Sequence, residues 1–308
     1  MGQETLYDTI IIGSGPAGMT AGIYAARREM NALILGEQPG GQVTWASEIE
    51  NYPGFKSIDN YELISRMQEQ VTELGVEMKN EEVKRIEKDE NGHFILHAPR
   101  NTFYGRTVII ALGLVPRRLA IPGEEELKGK GISYCANCDG PMYKNKDIAI
   151  IGGGNSALDA AEYLSKVANK VYLVHRREEF KAFDSLVEEV KKKNNVELVL
   201  NSEVQEIKGE DQVEKIKVKN TKEEEGSEIE VSGVFIEIGR IARTDLVEDL
   251  ADRDERSQIK INDKCETSTP GVYAAGDVTT VPFKQITIAC GHGTIAALAA
   301  YEYLNSKS

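Results

Sequence analysis

From Tyr7 the chain reads YDTIIIGSGPAGMTAGIYAARR: a β-branched run ends at Gly13, and a helix of small residues follows. The same pattern returns from Asp147 in KDIAIIGGGNSALDAAEYLSKVA. Each unit continues into another apolar strand, NALILGE at 31–37 and KVYLVHRR at 170–177. Two such strand–helix–strand openings, about 140 residues apart, predict two doubly wound domains. Between them, Val83 to Gly113 alternates like antiparallel strands and ends in TVIIALG. A second meander is expected from Val196 to Gly239, with turns at Lys208–Asp211 and Thr221–Ser227. TPGVYAAGDV at 269–278 then runs a strand into a Gly-Asp turn, and GHGTIAALAAYEYL forms a last small-residue helix. Such a helix has to lie close to something, and the first domain is its natural partner. The expected fold class is therefore α/β: two doubly wound, Rossmann-like, three-layer domains, the second inserted into the first. The expected boundaries are 1–113 with 246–308 for one and 117–240 for the other.

Composition narrows the function. A chain of 308 residues suits about two domains, and 41% hydrophobic residues suffice for real cores. A net charge of -13 argues against nucleic acid as a partner and disfavours anionic membranes. No apolar run approaches the roughly 18–20 residues of a membrane span. No secretory signal is visible, and Leu6 stands where a myristoylation motif needs Ser or Thr. Four cysteines do not make a disulfide framework, so a reducing, cytoplasmic setting is expected.

The glycine turns carry the first chemistry. Gly13-Ser14-Gly15-Pro16-Ala17-Gly18 is GxGxxG placed after a strand and before a helix. Gly13 allows the tight turn, Gly15 lets backbone approach a pyrophosphate, and Gly18 lets helix and strand touch. Glu37 ends the next strand, where an acid meets a ribose hydroxyl. The second loop, Gly152-Gly153-Gly154-Asn155-Ser156-Ala157, has the alanine that the fingerprint also accepts. Its next strand ends not in an acid but in His175-Arg176-Arg177, with Lys181 close behind. Cations there suit a 2′-phosphate, which favours NADPH over NADH. Two dinucleotide sites in one chain suggest electron transfer, most simply from nicotinamide to flavin.

Cys135 and Cys138 form CxxC in SYCANCDG, just before the second glycine unit. Zinc would need four ligands, and Cys265 and Cys290 stand alone, with no histidine pair at ligand spacing; no metal site is expected. Two inert buried thiols remain an alternative. A redox disulfide accounts best for the position, since CxxC lowers a thiol pKa and closes reversibly. Asp139 stands where a carboxyl could shuttle the proton.

The ordered set GSGPAG at 13–18, GGQV at 40–43, EIENYPGF at 48–55, CANCDG at 135–140, GGGNSA at 152–157, HRREEFK at 175–181 and GVYAAGDV at 271–278 resembles the low-molecular-weight thioredoxin reductases over essentially the whole chain. The resemblance implies an FAD domain split around an NADPH domain that carries the CxxC, and a homodimer. It assigns Gly13, Ser14, Gly15, Pro16, Ala17, Gly18 and Glu37 to FAD, with Gly41, Gln42, Val43 and Asn51 nearby. Gly276 and Asp277 would hold the ribityl chain, and Gln285 and Ile286 the pyrimidine end. Gly152, Gly154, Asn155 and Ser156 would meet the NADPH pyrophosphate, and His175, Arg176, Arg177 and Lys181 its 2′-phosphate region.

The implied activity passes electrons from NADPH through FAD and a Cys135–Cys138 disulfide to thioredoxin or a similar small redox protein. Cys135 would attack the partner, and the NADPH domain would turn about connections near 113–117 and 240–246. Three departures are visible. Lys181 replaces the usual arginine, GRIARTD at 239–245 lacks a proline-asparagine, and DVTTVPFKQI at 277–286 is closer to the flavoprotein subunit of alkyl hydroperoxide reductase. They leave open NADH or reduced ferredoxin as donor, and a peroxiredoxin- or glutaredoxin-like protein as acceptor.

Overall fold

The computed structural model describes residues 5–45, 48–223 and 226–307; the side chains of Trp45, Glu48 and Cys138 lie outside that description. The chain divides into two compact units, one of Met1–Val115 with Ile241–Ser308 and one of Pro116–Arg240. The crossing segments Val115–Pro116 and Arg240–Ile241 pair as a two-stranded ribbon.

The first unit is organised around Leu6–Ile12. Its final residues are buried on both faces, which parallel neighbours require. Ile11 joins the core beneath the helices, while Ile10 and Ile12 join the opposite one. Ala32–Leu35 and Thr102–Ile110 flank it in parallel. Thr102–Ile110 changes partner along its length. Thr102–Gly105 pairs antiparallel with Phe94–His97, whereas Val108–Ile110 pairs in parallel with Val272–Ala274. The helix Asn60–Glu73 starts on Asp59, whose carboxylate accepts from the Tyr61 and Glu62 N–H groups. It buries Leu63, Ile64, Met67 and Val71 at helical spacing.

The last helix, Ile286–Ser306, lies against Pro16–Ala26. Both are rich in small residues, so the backbones approach closely; a Cβ on Gly293 would overlap the Ala17 carbonyl. Gly293→Ala would gain about 1 kcal/mol in helix propensity. It would lose about 1–3 kcal/mol to overpacking, so we expect a lower Tm. An unchanged or raised Tm would show that the two helices have room to separate.

The second unit holds a parallel sheet in the order Ile132–Ser133, Gly233–Ile236, Asp147–Ile151, Lys170–Val174, Val196–Val199. Asn155–Leu164 and Asp184–Lys191 cover one face through Leu158, Ala161, Leu164 and Val190. A three-stranded antiparallel sheet, Ser202–Lys208, Lys215–Asn220 and Gly226–Glu230, covers the other through Val204, Ile207, Ile216 and Val218.

The expected second meander is therefore shorter than its sequence span. Val196–Val199 and Gly233–Ile236 belong to the parallel sheet. Gly233–Ile236 is buried throughout, the mark of a strand covered on both faces rather than a one-sided hairpin. The charged turn expected at Thr221–Ser227 falls between antiparallel strands, with Glu224 and Glu225 outside the described residues.

Candidate functional site

In the first unit the strand Leu6–Ile12 ends at Gly13, whose φ of +116° only glycine adopts readily. A Cβ on Gly13 would overlap the Ala111 carbonyl, and one on Gly18 the Gly13 carbonyl. Both glycines are thus set by close backbone approach. Gly15 differs: the nearest atom to a Cβ there is the Gly40 oxygen at 3.9 Å, so space lies above it. Gly15 is the N-cap of Pro16–Ala26 and supplies no side-chain cap; Pro16 occupies the first turn, and no acid stands there. The helix's first N–H groups therefore await an acceptor. Ser14 Oγ is buried and, among the described residues, has no hydrogen-bond partner. An uncapped helix, an open glycine and an orphaned hydroxyl together fit a dinucleotide pyrophosphate. Ala17 is buried beneath the turn, and Glu37 is exposed just past Ala32–Leu35.

The remaining first-unit residues assemble from distant segments. Gln42, in the turn Gly41–Trp45 beside the buried Val43, donates from Nε2 to Asp277 Oδ2 at 3.0 Å. Asn51 Nδ2 donates to Gln285 Oε1 at 3.2 Å, and Gln285 stands at the N-cap position of the helix that begins at Ile286 without a side-chain cap bond. Gly276 takes φ +76°, which turns Asp277 out of the strand Val272–Ala274.

Two supporting residues escaped sequence reasoning. Lys284 Nζ donates to the Asp277 and Thr279 carbonyls at 3.0 and 2.6 Å, and Gln258 Nε2 donates to the Asp277 carbonyl at 3.3 Å. Burial pushes the Lys284 ammonium pKa down. Because these contacts reach backbone oxygens, no side-chain motif announces them.

In the second unit Gly152 is held close by the Glu237 carbonyl and the Ala157 methyl. Asn155–Leu164 has Gly154 as N-cap, with neither a side-chain cap nor an acid in its first turn. The nearest atom to a Cβ on Gly154 is the Lys181 oxygen at 3.8 Å, so this loop too leaves room for a phosphate. Asn155 Oδ1 accepts from Phe183 N–H at 2.9 Å, tying the loop to the following segment, and Ser156 is exposed. Lys181 N–H donates to the Gly153 carbonyl at 2.7 Å.

His175 is buried, with its ring against Gly153 and Nε2 3.1 Å from the Glu179 carbonyl. Burial lowers its pKa, and Arg177 and Arg176 add to that. Its neighbours face outward: Arg176, Arg177 and Lys181 are exposed and, among the described residues, have no ion pair. Glu178, by contrast, is paired with Lys222 at 2.6 Å.

The CANC segment follows Ile132–Ser133 in this same unit. Cys135 is disulfide-bonded, while Cys265 and Cys290 carry free thiols. Cys138 lies on the short helix Ala136–Asp139, its side chain outside the described residues. Ser133 Oγ accepts from Cys135 N–H at 3.0 Å and donates to the Cys135 carbonyl at 3.2 Å, which closes a tight turn before the helix. Asp139 N–H donates to the Cys135 carbonyl at 3.2 Å, and its charge raises the pKa of Tyr143 after burial has done most of that. Cys265 is fully buried, its thiol pushed up to about 12 by burial. Burial also raises the Cys290 thiol, against hydrogen bonds with Thr20 and Tyr52. Among the described residues, no three or more His, Cys, Asp or Glu are gathered to hold a metal.

Residues 7–293 match the family described as pyridine nucleotide-disulphide oxidoreductase. A 34.2 kDa protein in the rubredoxin operon of Clostridium pasteurianum is 39% identical, with each chain covered completely. The thioredoxin reductase of Bacillus subtilis is 38% identical over 99% of this chain and 96% of its own. Among solved structures, Lactococcus lactis thioredoxin reductase superposes with a TM-score of 0.84 at 40% identity, covering 97% of this chain and 99% of that one. The chain belongs to the pyridine nucleotide-disulphide oxidoreductases, enzymes that work with a flavin and a pyridine nucleotide.

Proposed function

We propose that the protein is an NADPH-dependent, FAD-containing disulfide reductase that delivers electrons to thioredoxin or a similar small redox protein. One observation carries this reading most directly. A disulfide at Cys135 shares a compact unit with an uncapped glycine loop whose adjoining cations have, among the described residues, no carboxylate partner. A flavin bound in the first unit supplies two-electron transfer between nicotinamide and disulfide.

The chain's own residues do the rest. The turn at Gly13–Gly18 receives pyrophosphate on the helix N-terminus, and Glu37 receives the ribose. Gln42 and Asp277 fix one another, so that Asp277 presents a carboxylate to the ribityl chain. Asn51 and Gln285 do the same at the pyrimidine end, beside Ile286. In the second unit Gly152, Gly154, Asn155 and Ser156 form the NADPH pyrophosphate loop, with Arg176, Arg177 and Lys181 around the 2′-phosphate. The buried ring of His175 supports Gly153 from beneath. Cys135 and Cys138 form the redox disulfide, Asp139 handles a proton, and Cys135 attacks the partner protein. The domains are 1–113 with 246–308 for FAD and 117–240 for NADPH, and the enzyme works as a cytoplasmic homodimer. Among the described residues no helix is long and apolar enough to cross a membrane.

Anaerobic titration of the purified yellow protein tests this reading, with NADPH and NADH added in separate runs. We expect about four electrons to be taken up from NADPH, about half appearing as bleached flavin and half as new thiols. Two electrons with no new thiols would reject the disulfide-reductase reading. Equal bleaching by NADH would reject the assignment of the donor.

A further inference from the structure

A half-buried carboxyl that no motif announces lies beside the start of the CANC helix. The strand Gly233–Ile236 runs parallel to Ile132–Ser133, with Ser133 level with Phe235. Two residues farther along, both segments have left the sheet at the same end, one at Cys135 and the other at Glu237. Glu237 is held there by its backbone. Its N–H donates to the Ile151 carbonyl at 2.8 Å, and its own carbonyl lies where a Gly152 Cβ would need to be. Its side chain, half-buried, accepts the N–H of Ala136, the residue that follows Cys135 and opens the short CANC helix. Asp139 closes that helix; Glu237 meets its beginning.

We propose that Glu237 is a positioning residue for Cys135, its carboxyl storing the proton that decides whether the reduced sulfur stands as thiol or thiolate. The charges around it are mixed. Arg240 and the Ala136 N–H favour the carboxylate, while burial and Asp159, on the helix Asn155–Leu164, oppose it. Burial wins, and the carboxyl is pushed up to about 7. Opening the disulfide takes two electrons, supplied by the pyridine nucleotide, and two protons when both sulfurs end as thiols. If an ionised Glu237 takes one of those protons, Cys135 is left as the thiolate, the form that attacks a disulfide. The two groups titrate as a coupled pair. A carboxylate at 237 disfavours a thiolate at 135, and a neutral acid there permits it.

The proposal rests on the disulfide-reductase reading but is tested without nicotinamide or partner protein. The holoenzyme is reduced with dithiothreitol and alkylated with iodoacetamide between pH 5 and 9, in the range where both groups titrate. The Cys135 peptide is then quantified by mass spectrometry. The wild type is expected to show two inflections, the lower one near pH 7. Glu237→Gln keeps an acceptor for the Ala136 N–H and removes the charge. It should show one inflection, an apparent Cys135 pKa lower by about 1, and alkylation up to about tenfold faster at pH 7.5. Glu237→Asp should restore the two-step profile, which a purely structural role would not require. A Glu237→Gln profile that superimposes on the wild type would overturn the proposal. If NADPH produces no thiols yet the dithiothreitol profile shifts as expected, the functional reading fails and this coupling stands.

Discussion

Cys135→Ser is expected to cut reduction of a small disulfide protein by about 10³-fold or more, because the sulfur assigned to attack the partner's bond is gone and no Cys135–Cys138 disulfide can form. The variant should remain yellow, since the dinucleotide turn and the Gln42–Asp277 and Asn51–Gln285 pairs lie in the other compact unit. Its anaerobic electron uptake should fall from about four to about two, with no thiols formed on reduction. Nicotinamide oxidation with a small artificial acceptor should persist. Protein-disulfide turnover within tenfold of wild type would show that Cys135 is not the attacking sulfur. Loss of the flavin spectrum would show that its turn also holds the first unit together.

The second large effect concerns the donor. Removing both guanidinium groups, as Arg176→Ala with Arg177→Ala, deletes two charge-assisted contacts to a 2′-phosphate. Each is worth about 1.5–3 kcal/mol. Both residues are exposed, so the lower end applies, about 3 kcal/mol for the pair. At roughly 1.4 kcal/mol per factor of ten, KM for NADPH should rise about 10²-fold. KM for NADH, which lacks that phosphate, should move less than threefold. A parallel rise for both nucleotides would place the arginines on the shared part of the cofactor or in the loop's structure. In the expected outcome Lys181 keeps part of the NADPH affinity as a point charge without a fork.

These outcomes depend on features that differ in how openly the sequence displays them. The two glycine turns were legible because each strand–turn–helix junction needs glycine for a local reason: positive φ or a carbonyl in the Cβ position. The cations after Lys170–Val174 were legible as a group, but their division was not. His175 turns inward onto Gly153 while Arg176 and Arg177 face out, and strand alternation does not decide that where a strand has just ended.

The meeting of Gln42 with Asp277, and of Asn51 with Gln285, spans more than 230 residues and leaves no periodic trace. Resemblance could name those residues, but it did not show that they touch one another. Glu237 was invisible for a plainer reason. It is one of 50 acids, outside every motif, and its setting comes from a strand first read as part of a meander.

The strand Thr102–Ile110, with its change of partner, also sets the order in which the molecule can be finished. Val108–Ile110 must wait for Val272–Ala274, which leaves the ribosome on the order of 160 residues later. At roughly 5–20 residues per second that is about 8–30 s. During that interval the inserted unit Pro116–Arg240 is made whole and can collapse on its own cores. The first unit is meanwhile left with an open, apolar sheet edge at Val108–Ile110. In a chain truncated before residue 272 that edge would stay unpaired, the kind of template from which aggregation starts.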